Sequence, residues 1–169
     1  DLLFQYGYIE KKDSLRETYE AAIGVYNLDR NNPKMWEMLA NNEILSVFQF
    51  DTPQGIQGIS LAKPTSVEEM AALNSIMRLM ASEKGAEQPL EKYARFKRNP
   101  ILWEQEMNQY ELTSEQKQLL HKYLDYEYGI CASQEDIMSM IQDPQLGGWS
   151  LKDSDMLRKS IAKKDPKLY

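Results

Sequence analysis

The chain has a single cysteine, Cys131, a single histidine, His121, and no apolar run approaching the roughly 20 residues that span a bilayer. One cysteine cannot form an internal disulfide, which fits a reducing compartment better than a secreted scaffold. The start, Asp1-Leu2-Leu3-Phe4-Gln5, has no basic region followed by a long apolar stretch, so export and membrane insertion are not expected and a cytoplasmic location is. An excess of positive charge is also missing. Lys and Arg total 20 against 26 Asp and Glu, a formal charge of -6, which argues against a body coated for non-specific nucleic-acid binding while leaving room for a local basic site. The chain opens on Asp1 rather than Met, so we read it as a fragment of a larger protein or one part of a split one.

What is present is apolar enough to fold. Of 169 residues, 42% are hydrophobic and 27% charged, a balance that can offset ordering entropy and that suits one domain over 1–169. Helix start signals recur. Ser14-Leu15-Arg16-Glu17 and Ser66-Val67-Glu68-Glu69 are capping boxes, in which hydroxyl and carboxylate reciprocally satisfy free backbone N-H groups. The first leads into Tyr19, Ala22, Ile23 and Tyr26. The second leads into Met70, Leu73, Ile76, Met77 and Met80, a core-facing helix of about four turns. Asn32-Pro33, Thr113-Ser114-Glu115-Gln116, Ser133 and Ser150 open further helices, and Asp143-Pro144 closes one. Ile44-Leu45-Ser46-Val47-Phe48-Gln49-Phe50, β-branched and aromatic and stopped by Thr52-Pro53, reads as a buried strand. Residues 81–89 read as a connector. The expected fold is mostly α, a compact multi-helix domain with at most one or two short strands.

Chemistry-bearing patterns are few. There is no Gly-rich phosphate loop, no Cys or His pair at metal-ligand spacing, and no Ser-His-Asp set. His121 reads as a surface residue, Cys131 as a small buried hydrophobe, and Asp153-Ser154-Asp155 as helix capping. The positive signal is basic. Between Lys152 and Lys167 stand six basic residues against three acidic ones, and Arg95-Phe96-Lys97-Arg98 forms a smaller knot. On the last helix Lys152, Lys159 and Lys163 share one side, Arg158 flanks them, and Leu157 and Ile161 lie on another side that can be buried. Cations fixed on a rigid rod, with an arginine fork among them, suit a polyphosphate. The competing reading is that Arg158 pairs with Asp155 three residues earlier and the lysines are a solvated face.

Ordered motifs carry a resemblance. Val47-Phe48-Gln49, Gly55-Ile56, Lys63-Pro64-Thr65-Ser66-Val67-Glu68-Glu69-Met70 with Ala72-Leu73, Tyr128-Gly129-Ile130, Gln134-Glu135 and Ile137-Met138 resemble the fingers region of bacterial C-family DNA polymerases, the alpha subunit of DNA polymerase III. Gly148-Trp149-Ser150-Leu151, Asp155-Met156-Leu157-Arg158-Lys159 and Ala162-Lys163-Lys164-Asp165-Pro166 are similar to that family's Gly-Tyr-Thr-Leu, Ala-Asp-x-Leu-Arg-Arg and Gly-Lys-Lys-x-Pro run. The resemblance implies the fingers of a template-directed nucleotidyltransferase, with partners in a deoxynucleoside triphosphate, template-primer DNA, and the palm and thumb of the same enzyme. It assigns the triphosphate to Arg158, Lys159, Lys163 and Lys164, and DNA backbone to Arg95, Lys97 and Arg98. Arg78 falls where the family has an Arg-Pro-Gly-Pro turn, but here it is followed by Leu79-Met80. No catalytic carboxylate and no cofactor are expected in this chain. The two-metal chemistry, with Mg2+, belongs to the palm, so the isolated chain should be inactive. Residues 81–89 and 99–122 depart from the cellular pattern, which points to a divergent, phage-type polymerase. The alternative is a non-catalytic helical binding or assembly module.

Overall fold

A computed structural model describes residues 2–7, 9–24, 26, 28–79 and 85–163, the side chains of 2, 3, 162 and 163 excepted. The chain divides into two compact units, Asp1–Lys34 and Met35–Tyr169. In the first, α1 (Leu2–Gln5) precedes α2 (Leu15–Ile23), whose Ser14 and Glu17 form the expected capping box. No residue of α2 is buried; Leu15, Tyr19 and Ile23 line an exposed stripe one helical turn apart.

The second unit begins within α3 (Pro33–Ala40) and continues through α4 (Pro53–Ala62), α5 (Val67–Ile76), α6 (Pro89–Arg98), α7 (Ile101–Gln109), α8 (Ser114–Leu124), α9 (Gln134–Gln142) and α10 (Leu151–Lys163). Short 3-10 turns occupy Asp125–Glu127 and Pro144–Leu146. The described residues contain no strand. The expected strand at Ile44–Phe50 is a run of turns, with Val47 N-H donating to Ile44 O and Phe50 N-H to Val47 O, both at 2.9 Å. Its apolar residues repeat every third position, not every second. Ile44 and Phe50 are buried and Val47 is partly so, while Leu45 and Phe48 face solvent.

Pro53, expected to stop an extended segment, and Pro89, expected to close a connector, both start helices. Pro53 follows the N-cap Thr52, whose hydroxyl accepts from Gly55 N-H, and Pro89 opens α6. Helix α5 spans ten residues, less than the four turns expected, with Met77 as its C-cap; Met80 and the connector residues 81–84 lie outside the described residues. The core gathers Ile59, Leu73, Ile76, Tyr93 and Phe96, all fully buried, with Trp103, Met107, Leu124 and Ile130 around them. The Tyr93 hydroxyl has no hydrogen-bond partner among the described residues, and its ring packs edge-on against Tyr128 at 5.4 Å.

Three buried or half-buried acid sites tie the helices together. Glu69 accepts from Thr65 N-H at 2.6 Å, Lys97 Nζ at 2.7 Å and the Tyr128 hydroxyl at 2.6 Å, so one carboxylate joins α5, α6 and the loop before α9. Desolvation opposes its charge, but the bonds from Lys97, Tyr128 and Thr65 together hold its pKa below the usual value. His121, expected at the surface, is half-buried. Its ring lies 4.6 Å from Trp103 and is held between Asp125 at 2.7 Å and Glu104 at 2.5 Å, which raise its pKa, Asp125 most. Beside it, Gly129 at φ 81° lies so close to Trp103 that a Cβ would come within 2.5 Å of the indole. The third site holds two buried carboxyls, Glu127 and Asp136; the Tyr126 hydroxyl donates to Asp136, and Glu127 accepts from Ala132 N-H. Burial first, and then Asp136, push Glu127 up to about 7. Cys131 lies at the surface, not in the core as expected. Desolvation by the protein around the thiol, then the charges of Asp136 and Glu127, raise it to about 11, so it is a poor nucleophile.

These shifts set a pH dependence. A carboxyl whose folded pKa is about 7 against 4.5 unfolded binds more protons when folded, so its contribution to stability falls as pH rises through that window. His121, raised above 6.5, stabilises fully below that value and loses its contribution as pH rises through its folded pKa. Both act in one direction. Thermal unfolding of the chain should therefore show a lower Tm at pH 8 than at pH 5, and Glu127→Gln should flatten the fall between about 4.5 and 7. A Tm that climbs over that range would contradict the assignment.

Candidate functional site

The two final long helices build the site. Helix α9 starts at a capping box, with Ser133 Oγ accepting from Asp136 N-H at 3.1 Å and Asp136 accepting from Ser133 N-H at 2.7 Å. It ends at Asp143, whose carboxylate accepts from Lys122 Nζ at 2.6 Å, the Tyr123 hydroxyl at 2.8 Å and Gln145 N-H at 2.9 Å. Those bonds, Lys122 foremost, depress it to about 2 and anchor the turn to α8. The chain then reverses, Trp149 N-H bonding Ile141 O at 3.0 Å, and α10 packs chiefly on α9. Ser150 Oγ accepts from Asp153 N-H at 3.2 Å, the capping role expected for Asp153.

The inward edge of α10 differs from the expectation. Ser154 is fully buried, its hydroxyl donating to Leu151 O at 2.9 Å, and Leu157 and Arg158 are half-buried, whereas Ile161 is exposed. Arg158 follows the buried Ser154 by one helical turn, on the same side of α10, and reaches Gln134 of α9. Arg158 Nε and Nη2 both donate to Asp155 Oδ1, at 3.0 and 2.8 Å, and Nη1 donates to Gln134 Oε1 at 2.8 Å. Lys159 Nζ sits 2.6 Å from the other oxygen, Asp155 Oδ2. Lys159 first and Arg158 second lower the Asp155 pKa. One carboxylate thus gathers two cations, and a guanidinium with five N-H groups retains two that no described residue uses. The pairing with Asp155 foreseen from spacing is present, together with a contact to Gln134 that no single-helix pattern could reveal, because 24 positions separate the partners. The side chain of Lys163 and the whole of Lys164 lie outside the described residues.

The second knot does not form one patch. Arg95 makes a two-pronged bond to Glu87, at 2.8 and 2.7 Å, and its guanidinium lies 4.7 Å from the Phe96 ring centroid. Lys97 points the other way on α6 and is internal, donating to Glu69 and, at 2.8 Å, to Lys63 O. Arg98 is exposed at the helix end, where cations suit the dipole. Arg78 Nε bonds Asn74 O at 3.1 Å. Among the described residues no three or more His, Cys, Asp and Glu side chains are grouped to hold a metal, and no helix is long and apolar enough to cross a membrane.

Residues 9–169 match the bacterial DNA polymerase III alpha subunit finger domain. The chain is 38% identical over 164 residues to the probable DNA polymerase YorL of Bacillus subtilis (strain 168), covering 97% of this chain and 12% of that protein. It is 29% identical over 143 residues to the DNA polymerase III subunit alpha of Treponema pallidum (strain Nichols), 84% of this chain and 11% of the relative. Against the DNA polymerase III subunit alpha of Thermus aquaticus the identity is 28% over 155 residues, 92% of this chain and 12% of the relative. The chain therefore spans 12% or less of the length of these relatives. The paired helices α9 and α10, with their gathered cations, thus lie in a chain that belongs to the bacterial DNA polymerase III alpha subunit finger-domain family.

Proposed function

We propose that this chain is the fingers of a cytoplasmic DNA-directed DNA polymerase and that α10 binds the triphosphate of the incoming deoxynucleotide. The observation that carries the reading is the half-buried Arg158 guanidinium, braced by Asp155 and Gln134, with two N-H groups that no described residue uses. A polyphosphate needs donors that are oriented before it arrives, since each side chain ordered on binding costs affinity. Arg158 meets that need, and Lys159 beside it adds charge. The N-terminal turn of α9, next to the guanidinium, contributes the positive end of a helix dipole. Lys163 and Lys164 follow one turn later in the sequence and extend the basic run. In nucleotidyl transfer these cations offset charge developing on the phosphoryl oxygens and the leaving pyrophosphate, without making or breaking a bond. We assign Mg2+ to the palm and expect no polymerisation by this chain alone. Arg98, and Arg95 when it leaves Glu87, fit DNA backbone by charge; Lys97 serves them by fixing α6 through Glu69.

A second reading, a non-catalytic helical module, draws on a groove of about 270 Å³ lined by Met35, Trp36, Met38, Leu39, Val47 and Met70. The two readings part on Arg158. In the complete polymerase, Arg158→Glu should raise the KM for nucleotide at least about tenfold or lower kcat comparably, because it replaces a cation by an anion at the phosphates. Wild-type kinetics in that variant would overturn the triphosphate reading. For the DNA contact, Arg98→Glu should weaken primer-template binding across sequences and make the log-affinity against log-salt slope shallower by about 0.9, one phosphate contact. An unchanged slope would remove Arg98 from the DNA surface.

A further inference from the structure

We infer that Gln134 is a positioning residue that sets the direction of the Arg158 guanidinium and thereby the affinity for the incoming nucleotide. The inference rests on the reading of Arg158 as the triphosphate ligand. Its starting point is an asymmetry in how Arg158 is held. Asp155 lies on the same helix three residues earlier, so its bonds fix the guanidinium relative to α10 alone. Gln134 is the first residue of α9, and its bond at 2.8 Å is the contact that registers the guanidinium against another element. Arginine only donates, so the amide must turn its oxygen to Nη1.

The chemistry of an amide suits this task. An amide oxygen accepts a charge-assisted hydrogen bond without cancelling the cation, whereas a second carboxylate beside Asp155 would leave the guanidinium doubly countered and less attractive to phosphate. The backbone that carries Gln134 is itself fixed. Ser133 and Asp136 close the capping box on either side of it, Asp136 takes the Tyr126 hydroxyl, and the buried Glu127 accepts from Ala132 N-H at 3.1 Å. A rigid segment therefore presents one neutral acceptor to one cation.

The test is steady-state single-nucleotide incorporation by the complete polymerase. Gln134→Ala and the bulkier Gln134→Met should each raise the KM for nucleotide about three- to tenfold with a smaller change in kcat, because both remove the acceptor. Gln134→Glu should raise it further although it keeps an acceptor, since it adds countercharge. The deciding measurement is the double-mutant cycle: in an Arg158→Ala background, Gln134→Ala should have no further effect. Effects that multiply independently, or a Gln134→Glu variant that behaves like wild type, would overturn the positioning role. If Arg158→Ala alone raises KM while all three Gln134 variants match wild type, the positioning role fails and the triphosphate reading survives. If Arg158→Ala leaves the kinetics untouched, both fall.

Discussion

The larger unit depends on a carboxylate taken out of water and satisfied. Glu69, 8% exposed, would be costly to bury alone; Thr65, Lys97 and Tyr128 supply the donors that make the ion acceptable. Because those donors come from the turn before α5, from α6 and from the loop after α8, satisfying one charge fixes three segments at once. The consequence runs along the chain. Tyr128, held at φ 51° with its hydroxyl on Glu69, and Gly129, pressed against Trp103, set the path of the loop that enters α9. That path places Ser133 and Gln134, and so the acceptor that meets Arg158.

At the other end of α9 a second carboxylate does similar work. Asp143 collects Lys122, Tyr123 and Gln145 and pins the reversal that leads into α10, whose Ser154 is fully buried. The cation cluster therefore sits on a pair of helices fixed at both ends. Asp155 lets Arg158 and Lys159 approach each other without mutual repulsion dominating, at the cost of part of the positive field. On the proposed reading, a polyphosphate suits this site better than a single carboxylate, because its several charges can engage Arg158 and Lys159 together despite the countercharge of Asp155.

Much of this was legible in the sequence where the signal is local. The caps at Ser14, Thr113 and Ser133 are present because capping spans only two intervening residues, although at Ser66 the Glu69 carboxylate turns to Thr65 N-H instead of completing the box, and the pairing of Arg158 with Asp155 follows from one helical turn. What failed was non-local or ambiguous. Apolar residues at 44, 47 and 50 suit a strand by composition and a chain of turns by period, and only burial decides. Pro53 and Pro89 open helices as readily as they stop extended chain. The inward turn of Lys97, the clamp on His121 and the bond from Gln134 to Arg158 each join elements distant in sequence, and no periodicity within one helix encodes them.

The triphosphate role of α10 turns on where polyphosphate lies when the polymerase holds its substrates. A structure of the complete enzyme with primer-template DNA and a non-hydrolysable deoxynucleoside triphosphate tests it most directly. The expected result is an Arg158 nitrogen within about 3.2 Å of a phosphate oxygen, with Gln134 still bonded to the guanidinium. Phosphates seated beyond the reach of α10, with Arg158 still held by Asp155 and Gln134, would contradict it.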